Sequence, residues 1–218
     1  MTGPRVAIIQ LTDPQGTVPV GYSHSVFDVA CELMSEGCAV SLSAWEGDNI
    51  DELLYSLIDA DRILLWDPDV TFNVPATRLA LAGTKLIDAL DEADVTTAAV
   101  LRSERTMTVF SGRECFARAA ESLGTDLAKP MQEERKPLVI GACGNYWLWL
   151  HTSAISRLGG KPAKPFCLAG VDVTLSRRLI EGGCSVKVDP RIAVVSQWRE
   201  SAQWALEPAA EAVAAEPK

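Results

Sequence analysis

An α/β domain, with a mostly parallel central sheet flanked by helices, is the fold class this sequence predicts, and three observations predict it. Short apolar runs such as VAIIQL (6–11) and ADRILLW (60–66) stop abruptly at polar turn residues, as strands buried on both faces do. Segments with helical apolar spacing fall between them, so the order reads strand, helix, strand, helix, strand. The composition, 48% hydrophobic and 22% charged over 218 residues, supplies one sizeable core and excludes a disordered chain. One domain over 1–206 is expected, followed at 207–218 by EPAAEAVAAEPK, a low-complexity stretch expected to be disordered.

The first strand, Val6 to Leu11, runs into Thr12-Asp13-Pro14-Gln15-Gly16, the turn-rich start of a loop over 12–21. From Ser25, the positions Val26, Val29, Ala30, Leu33 and Met34 share one helical face, and Gly37 stops the helix by taking a left-handed cap. Ala39 to Ala44 alternates as a second strand, Asn49 caps a helix over Ile50 to Leu57, and Ala60 to Trp66 forms a third strand. Such alternation implies parallel pairing through right-handed crossovers, with ligands beyond the carboxyl ends of the strands. The loops 12–21, 45–49 and 67–73 are then expected to share that edge.

Pro75 suits the first turn of a helix reaching about Leu90, and Val95 to Leu101 reads as a strand. The stretch from Ser103 to Pro137 mixes a short strand (Met107 to Phe110) with a helical piece (Arg113 to Leu123) and reads as an insertion. Leu138 to Ala142 resumes a strand, Trp147 to Leu150 is strongly apolar, and Thr152 to Leu158 is helical up to Gly159-Gly160. Val173 to Ile180 is helical up to Gly182-Gly183, with short strands over Cys184 to Val188 and Ile192 to Val195.

Charge narrows the function classes. The formal charge of −9 repels phosphate backbones and anionic lipid, which argues against broad basic-patch binding to nucleic acid. No run approaches the roughly 18 apolar residues of a membrane span, and no signal peptide is visible, so a cytoplasmic protein without a membrane partner is expected. The six cysteines (Cys31, Cys38, Cys115, Cys143, Cys167, Cys184) form no CxxC pair and read as reduced core thiols. A dinucleotide-dependent oxidoreductase is disfavoured because TDPQG, not GxGxxG, follows the first strand.

The sharpest motif is Leu64-Leu65-Trp66-Asp67-Pro68-Asp69-Val70, where two carboxylates flank a proline at the end of a buried strand. Hard divalent cations are commonly held by one or two carboxylates together with substrate phosphates; the plain alternative is a strand-ending turn. A second feature is Gly170-Val171-Asp172 opening a helix that carries Arg177-Arg178, stops at Gly182-Gly183 and leads into a strand ending Asp189-Pro190. After the first two strands stand Thr12, Trp45, Glu46 and Asp48, where an acid accepting a base N–H and an indole stacked on the ring suit a uracil.

Taken together, these segments resemble small glycosyltransferases of the GT-A fold, related to family 2 and especially to the short forms of viruses and phages. The resemblance implies that Asp67 contacts the donor ribose or the metal, and that Asp69 binds Mn²⁺ or Mg²⁺ bridging the two phosphates of a nucleotide-sugar. It implies Asp172 as the general base on an acceptor hydroxyl, hence inversion, and Gly144, within Gly141 to Tyr146, beneath the sugar. The expected activity is metal-dependent hexosyl transfer from a UDP-sugar, with a modified base in phage DNA, a glycan or a small molecule as acceptor. For a phage-encoded protein the compartment is the host cytoplasm, and self-association stays open.

The chain departs from that family's pattern in several places. Val171 replaces an acid, Leu175 an aromatic, Ile50-Asp51-Glu52 an Ala-Arg-Asn, and no metal-binding His stands near Ser196-Gln197, so Gln197 is the substitute oxygen ligand. His24 is expected in the loop after strand one, within reach of the site; His151 reads as structural. These departures sustain an alternative: a catalytically degenerate GT-A domain that binds nucleotide or a protein partner.

Overall fold

A computed structural model describes residues 3–12, 20–46, 50–67, 70–98, 101–103, 106–107, 109–110, 138–139, 142–143, 147–158, 175, 178–192 and 194–196. The first strand, β1 (Arg5–Leu11), lies between β2 (Ala39–Trp45) and β3 (Arg62–Trp66), parallel to both. Helix α1 (Val20–Ser35) joins β1 to β2, and α2 (Ile50–Ser56) joins β2 to β3. Beyond β3 come β11 (Trp147–His151), β5 (Val95–Ala98), β12 (Val186–Asp189) and β9 (Leu138–Val139), giving the order β2-β1-β3-β11-β5-β12-β9. Five of these seven strands run one way; β11 and β9 oppose their neighbours. The fold is thus a Rossmann-like α/β domain with a mostly parallel central sheet flanked by helices, as the alternation of the sequence predicts.

Period-two alternation divides the core. Ala7, Ile9, Ile63, Leu65, Leu148 and Leu150 face Leu53, Leu54, Leu175 and Leu179 on one side of the sheet. Val6, Ile8, Leu64, Trp66, Trp147 and Trp149 face Val26, Val29, Leu33, Leu86 and Leu90 on the other.

Several expectations are corrected. Helix α1 starts right after Pro19, not at Ser25, so His24 stands exposed on the helix rather than in the preceding loop. Met34, expected in the apolar stripe, is 56% exposed, because Val26, Val29, Ala30 and Leu33 already fill the face toward the sheet. The single helix expected up to Leu90 is two, α3 (Val74–Leu81) and α4 (Leu86–Leu90), broken where Ala82 (φ 49°) and Gly83 (φ 93°) turn left-handed. Asn73 caps α3 by accepting the Ala76 N–H, and the Glu36 carboxylate at the end of α1 accepts the Leu86 and Ile87 N–H groups at 2.6 and 2.8 Å. Gly37, at φ 99°, has the left-handed conformation its position predicts.

The run from Val95 leaves the sheet at Ala98, and β6 (Leu101–Ser103) pairs locally with β7 (Thr106–Met107). Beyond β8 (Val109–Phe110), the expected helix at 113–123 lies outside the described residues, as does the tail at 207–218. Leu138 to Ala142 is divided between β9 and β10 (Ala142–Cys143), the latter antiparallel to β8. After β11 the chain forms α5 (Thr152–Ile155) and a 3-10 turn (Ser156–Leu158). Among the described cysteines, Cys38 and Cys184 are buried core thiols as expected, and burial pushes both thiols up. Cys31 is corrected to an exposed thiol on the outer side of α1.

Candidate functional site

The carboxyl ends of β1, β2 and β3 lie in one row. Leu11 registers with Trp45, so Thr12 and Glu46 emerge side by side, and Gln10 registers with Trp66, so Asp67 stands level with Leu11, one residue short of them at the same edge. Thr12 ties the row together: its N–H and its hydroxyl both donate to the Trp45 carbonyl at 3.0 Å. The hydroxyl proton is thereby committed, and Thr12 Oγ1 is left as an acceptor. Trp45 is half-buried against the cluster containing Ile9 and Leu53, and its indole N–H is buried with no hydrogen-bond partner among the described residues. Glu46 is exposed and Asp67 half-buried.

The Asp67-to-Val70 segment is closed from beneath. The Val70 N–H donates to the Asp67 carbonyl at 3.2 Å, and Trp66 Nε1 donates to the Val70 carbonyl at 2.7 Å. A fully buried indole at the last position of β3 therefore fixes where the chain returns after the acidic motif. Phe72 and Trp147 complete an aromatic floor, with ring centroids 5.5 Å apart for Phe72 and Trp147 and 6.1 Å for Trp66 and Trp147. Trp147 registers with Trp66 at this edge, and its indole N–H too is buried without a partner among the described residues.

Val70–Phe72 is itself a strand, β4, where a loop is expected over 67–73. Buried Ser25 on α1 holds it, accepting the Phe72 N–H and donating to the Phe72 carbonyl. Its partner is β13 (Val194–Ser196), antiparallel, with Ser196 opposite Val70. The residue before Gln197 thus stands across from the residue after Asp69. Asp48, Asp69, Gly144, Asp172 and Gln197 lie outside the described residues, as does Asp13.

Two buried carboxylates, one held by a long-range contact and one by a local contact, are paired in ways the sequence does not signal. Asp51, in the first turn of α2, is wholly buried and receives Arg178 Nη1 at 2.8 and 2.9 Å from its two oxygens. Asp51 thereby faces an arginine from the helical turn at 178–181. Asp189 is also buried, held by Arg191 through the Arg191 N–H at 2.9 Å and the guanidinium at 2.6 to 3.1 Å, which makes Asp189-Pro190 a structural turn. His151 lies within the fold, with Nε2 3.1 Å from Asp91 Oδ1 but buried without a hydrogen bond among the described residues, so it is not the satisfied histidine expected. No cluster of three or more His, Cys, Asp or Glu side chains is gathered among the described residues, and no described helix is long and apolar enough to cross a membrane.

Fold and site together define a Rossmann-like α/β domain whose carboxyl edge gathers acidic, aromatic and hydroxyl groups. No family model and no curated protein matches the chain. Among solved structures it is similar to A197 from STIV, at 11% identity over 88% of this chain and 85% of that one, with a TM-score of 0.49. It is similar to HddC from Yersinia pseudotuberculosis, at 8% identity over 94% and 98% (TM-score 0.47). It is also similar to the inositol-1-phosphate CTP transferase from T. maritima, at 15% identity over 93% of each chain (TM-score 0.47).

Proposed function

We propose that this chain is a transferase acting on a nucleotide-linked substrate at the carboxyl edge of its sheet, and more specifically an inverting glycosyltransferase using a UDP-sugar. The observation that carries the reading is the β4–β13 pairing, which brings the chain next to Gln197 against the chain next to Asp69, beside the row of Thr12, Glu46 and Asp67. Ligands of open α/β sheets collect in this position.

In this reading Trp45 and Glu46, with Asp48, receive the base, and Asp67 the ribose or the metal. The two carboxylates of the motif and the Gln197 amide form an all-oxygen donor set that fits Mn²⁺ or Mg²⁺. When bound, the cation neutralises charge on the departing diphosphate. Asp172 takes the proton from the acceptor hydroxyl, and Gly144 lets the backbone approach the sugar. Trp66 acts through the backbone, holding the Asp67-to-Val70 segment in place.

The test is a thermal-shift panel of UDP, GDP, CDP and TDP, each with Mn²⁺, Mg²⁺ or chelator, followed by turnover of the matching nucleotide-sugar. A ligand that binds only the native state stabilises it by about 2.7 kcal/mol at 100 times its dissociation constant. Metal-dependent stabilisation by one diphosphate, with turnover lost in Asp69→Asn and in Asp172→Asn, is the expected result. Full turnover in both variants sinks the mechanism. Binding without donor consumption moves the chain to the catalytically degenerate reading.

A further inference from the structure

We propose that β2 is an interaction surface at which two copies of this chain pair edge to edge, antiparallel, about a twofold axis at Leu42. The proposal does not rest on the transferase reading. Strand β2 ends the central sheet, and among the described residues nothing pairs with its outer side. Five of its seven residues are exposed, and its register with β1 continues over all seven without a bulge.

Edge strands of monomers are ordinarily blunted by lysine, proline, inward charge or a bulge, because open N–H and C=O groups template further pairing. β2 has none of these. Its sequence, Ala-Val-Ser-Leu-Ser-Ala-Trp, is uncharged in a chain of net charge −9. Two such chains repel unless they meet on neutral surface, and β2 offers it.

The strand is also complementary to itself. Antiparallel pairing centred on Leu42 sets Leu42 against Leu42, Ser41 against Ser43, Val40 against Ala44 and Ala39 against Trp45. Hydroxyl pairs and apolar pairs are both favourable cross-strand neighbours. The two Glu46 side chains fall at opposite ends of the paired strands, so no like charges face each other.

Helix α1 extends the surface. Glu32 forms an ion pair with Arg78 on α3 and Glu36 caps α4, which fixes one flank of α1 against those helices. At 3.6 residues per turn, Phe27 and Met34 lie roughly 140 to 180° round the helix from Glu32 and Glu36, on the flank above β2. They are 58% and 56% exposed, and Leu42 is 41% exposed. A stable interface buries roughly 800 Å² per partner. The exposed Phe27 and Met34 side chains add apolar area to that offered by the strand. The twofold contact is isologous and closes on itself, so a dimer forms and not a fibre.

Sedimentation equilibrium of the full chain tests this at roughly 50 μM, well above a micromolar dissociation constant. The expected result is twice the chain mass of 23.5 kDa. Leu42→Lys places two ammonium groups on the axis and is expected to weaken pairing at least tenfold, with the far-UV circular dichroism unchanged. Met34→Lys does the same from a position outside the sheet and decides the matter if Leu42→Lys fails to fold. Leu79→Lys, on exposed α3, leaves the dimer intact. A monomeric parent chain overturns the proposal, and so does a dimer that survives both Leu42→Lys and Met34→Lys.

Discussion

The two edges of the central sheet are built on opposite principles. At the amino edge, carboxylates are matched to donors. Asp91 accepts from Arg62 at 2.7 to 3.0 Å and from Trp149 Nε1 at 3.0 Å, with His151 Nε2 at 3.1 Å. Asp94 accepts from the Ser185 N–H and hydroxyl at 2.8 and 2.9 Å and from Arg157 at 3.2 Å. Arg5 and Asp61 join the starts of β1 and β3. At the carboxyl edge, by contrast, two buried indole N–H groups, on Trp45 and Trp147, have no partner among the described residues. Buried donors are nearly always satisfied in native proteins. Two further buried polar atoms, Tyr55 Oη and His151 Nε2, also lack a hydrogen-bond partner among the described residues, so the difference lies in the carboxylates: the amino edge is finished in its ion pairs, while the carboxyl edge holds unpaired indole donors in reserve.

The largest expected effect breaks the finished edge. Asp91→Ala leaves the Arg62 guanidinium and the Trp149 indole without their shared acceptor and is expected to cost about 3 kcal/mol, read as a lowered urea midpoint. Binding at the other edge, measured where the variant is folded, is expected to stay the same. A loss below about 0.5 kcal/mol removes the contrast.

Acid unfolding examines the same group. Burial pushes the Asp91 carboxyl up, but the nearby His151 ring, hydrogen bonds from Arg62 and Trp149, and the Arg62 charge outweigh it and hold the group well below the usual carboxylate range. A carboxyl depressed in the folded state contributes its stability in full above the unfolded value of about 3.9 and loses it as pH falls toward the folded value. Asp91→Asn is therefore expected to flatten the stability curve below about pH 4 relative to the parent chain. Parallel acid limbs in the two proteins contradict that assignment.

Trp66→Phe acts at the junction between structure and reserve. It keeps a buried ring but removes the donor to the Val70 carbonyl, leaving that acceptor unsatisfied at a cost of roughly 1 to 2 kcal/mol. Its effect on metal-dependent ligand binding is expected to exceed its effect on stability, because the released segment carries the acidic motif. Equal binding in the variant and the parent chain removes Trp66 from the site's support.

This division was partly legible in the sequence. The end of β3 at Asp67-Pro68-Asp69 and the cap at Gly37 are local events written in turn chemistry, and each is found where that chemistry puts it. The alignment of the first three strand ends follows from alternation alone. The run Trp147 to Leu150 is apolar enough for a buried strand, but apolarity has no direction, so nothing in it signals that β11 runs against β3 and β5. Asp51 and Arg178 are 127 positions apart, and no period links them. The break between α3 and α4 falls on Ala82, a good helix former, and only Gly83 beside it hints at the turn.

The smallest expected effect on stability sharpens the comparison furthest. Trp147→Phe keeps an aromatic ring against Phe72 and deletes an indole N–H that no described group accepts. Two terms then oppose each other: a cavity from the smaller ring, which destabilises, and relief of a buried unpaired donor, worth about 1 to 3 kcal/mol in the other direction. Near-cancellation is expected, a change within about 1 kcal/mol, whereas deleting the satisfied indole of Trp149, in Trp149→Phe, loses both the packing and the bond to Asp91. Thermal melts of the two variants side by side read this asymmetry directly. Comparable losses in both mean that the Trp147 donor is satisfied in solution, and the contrast between the two edges then fails at its most specific point.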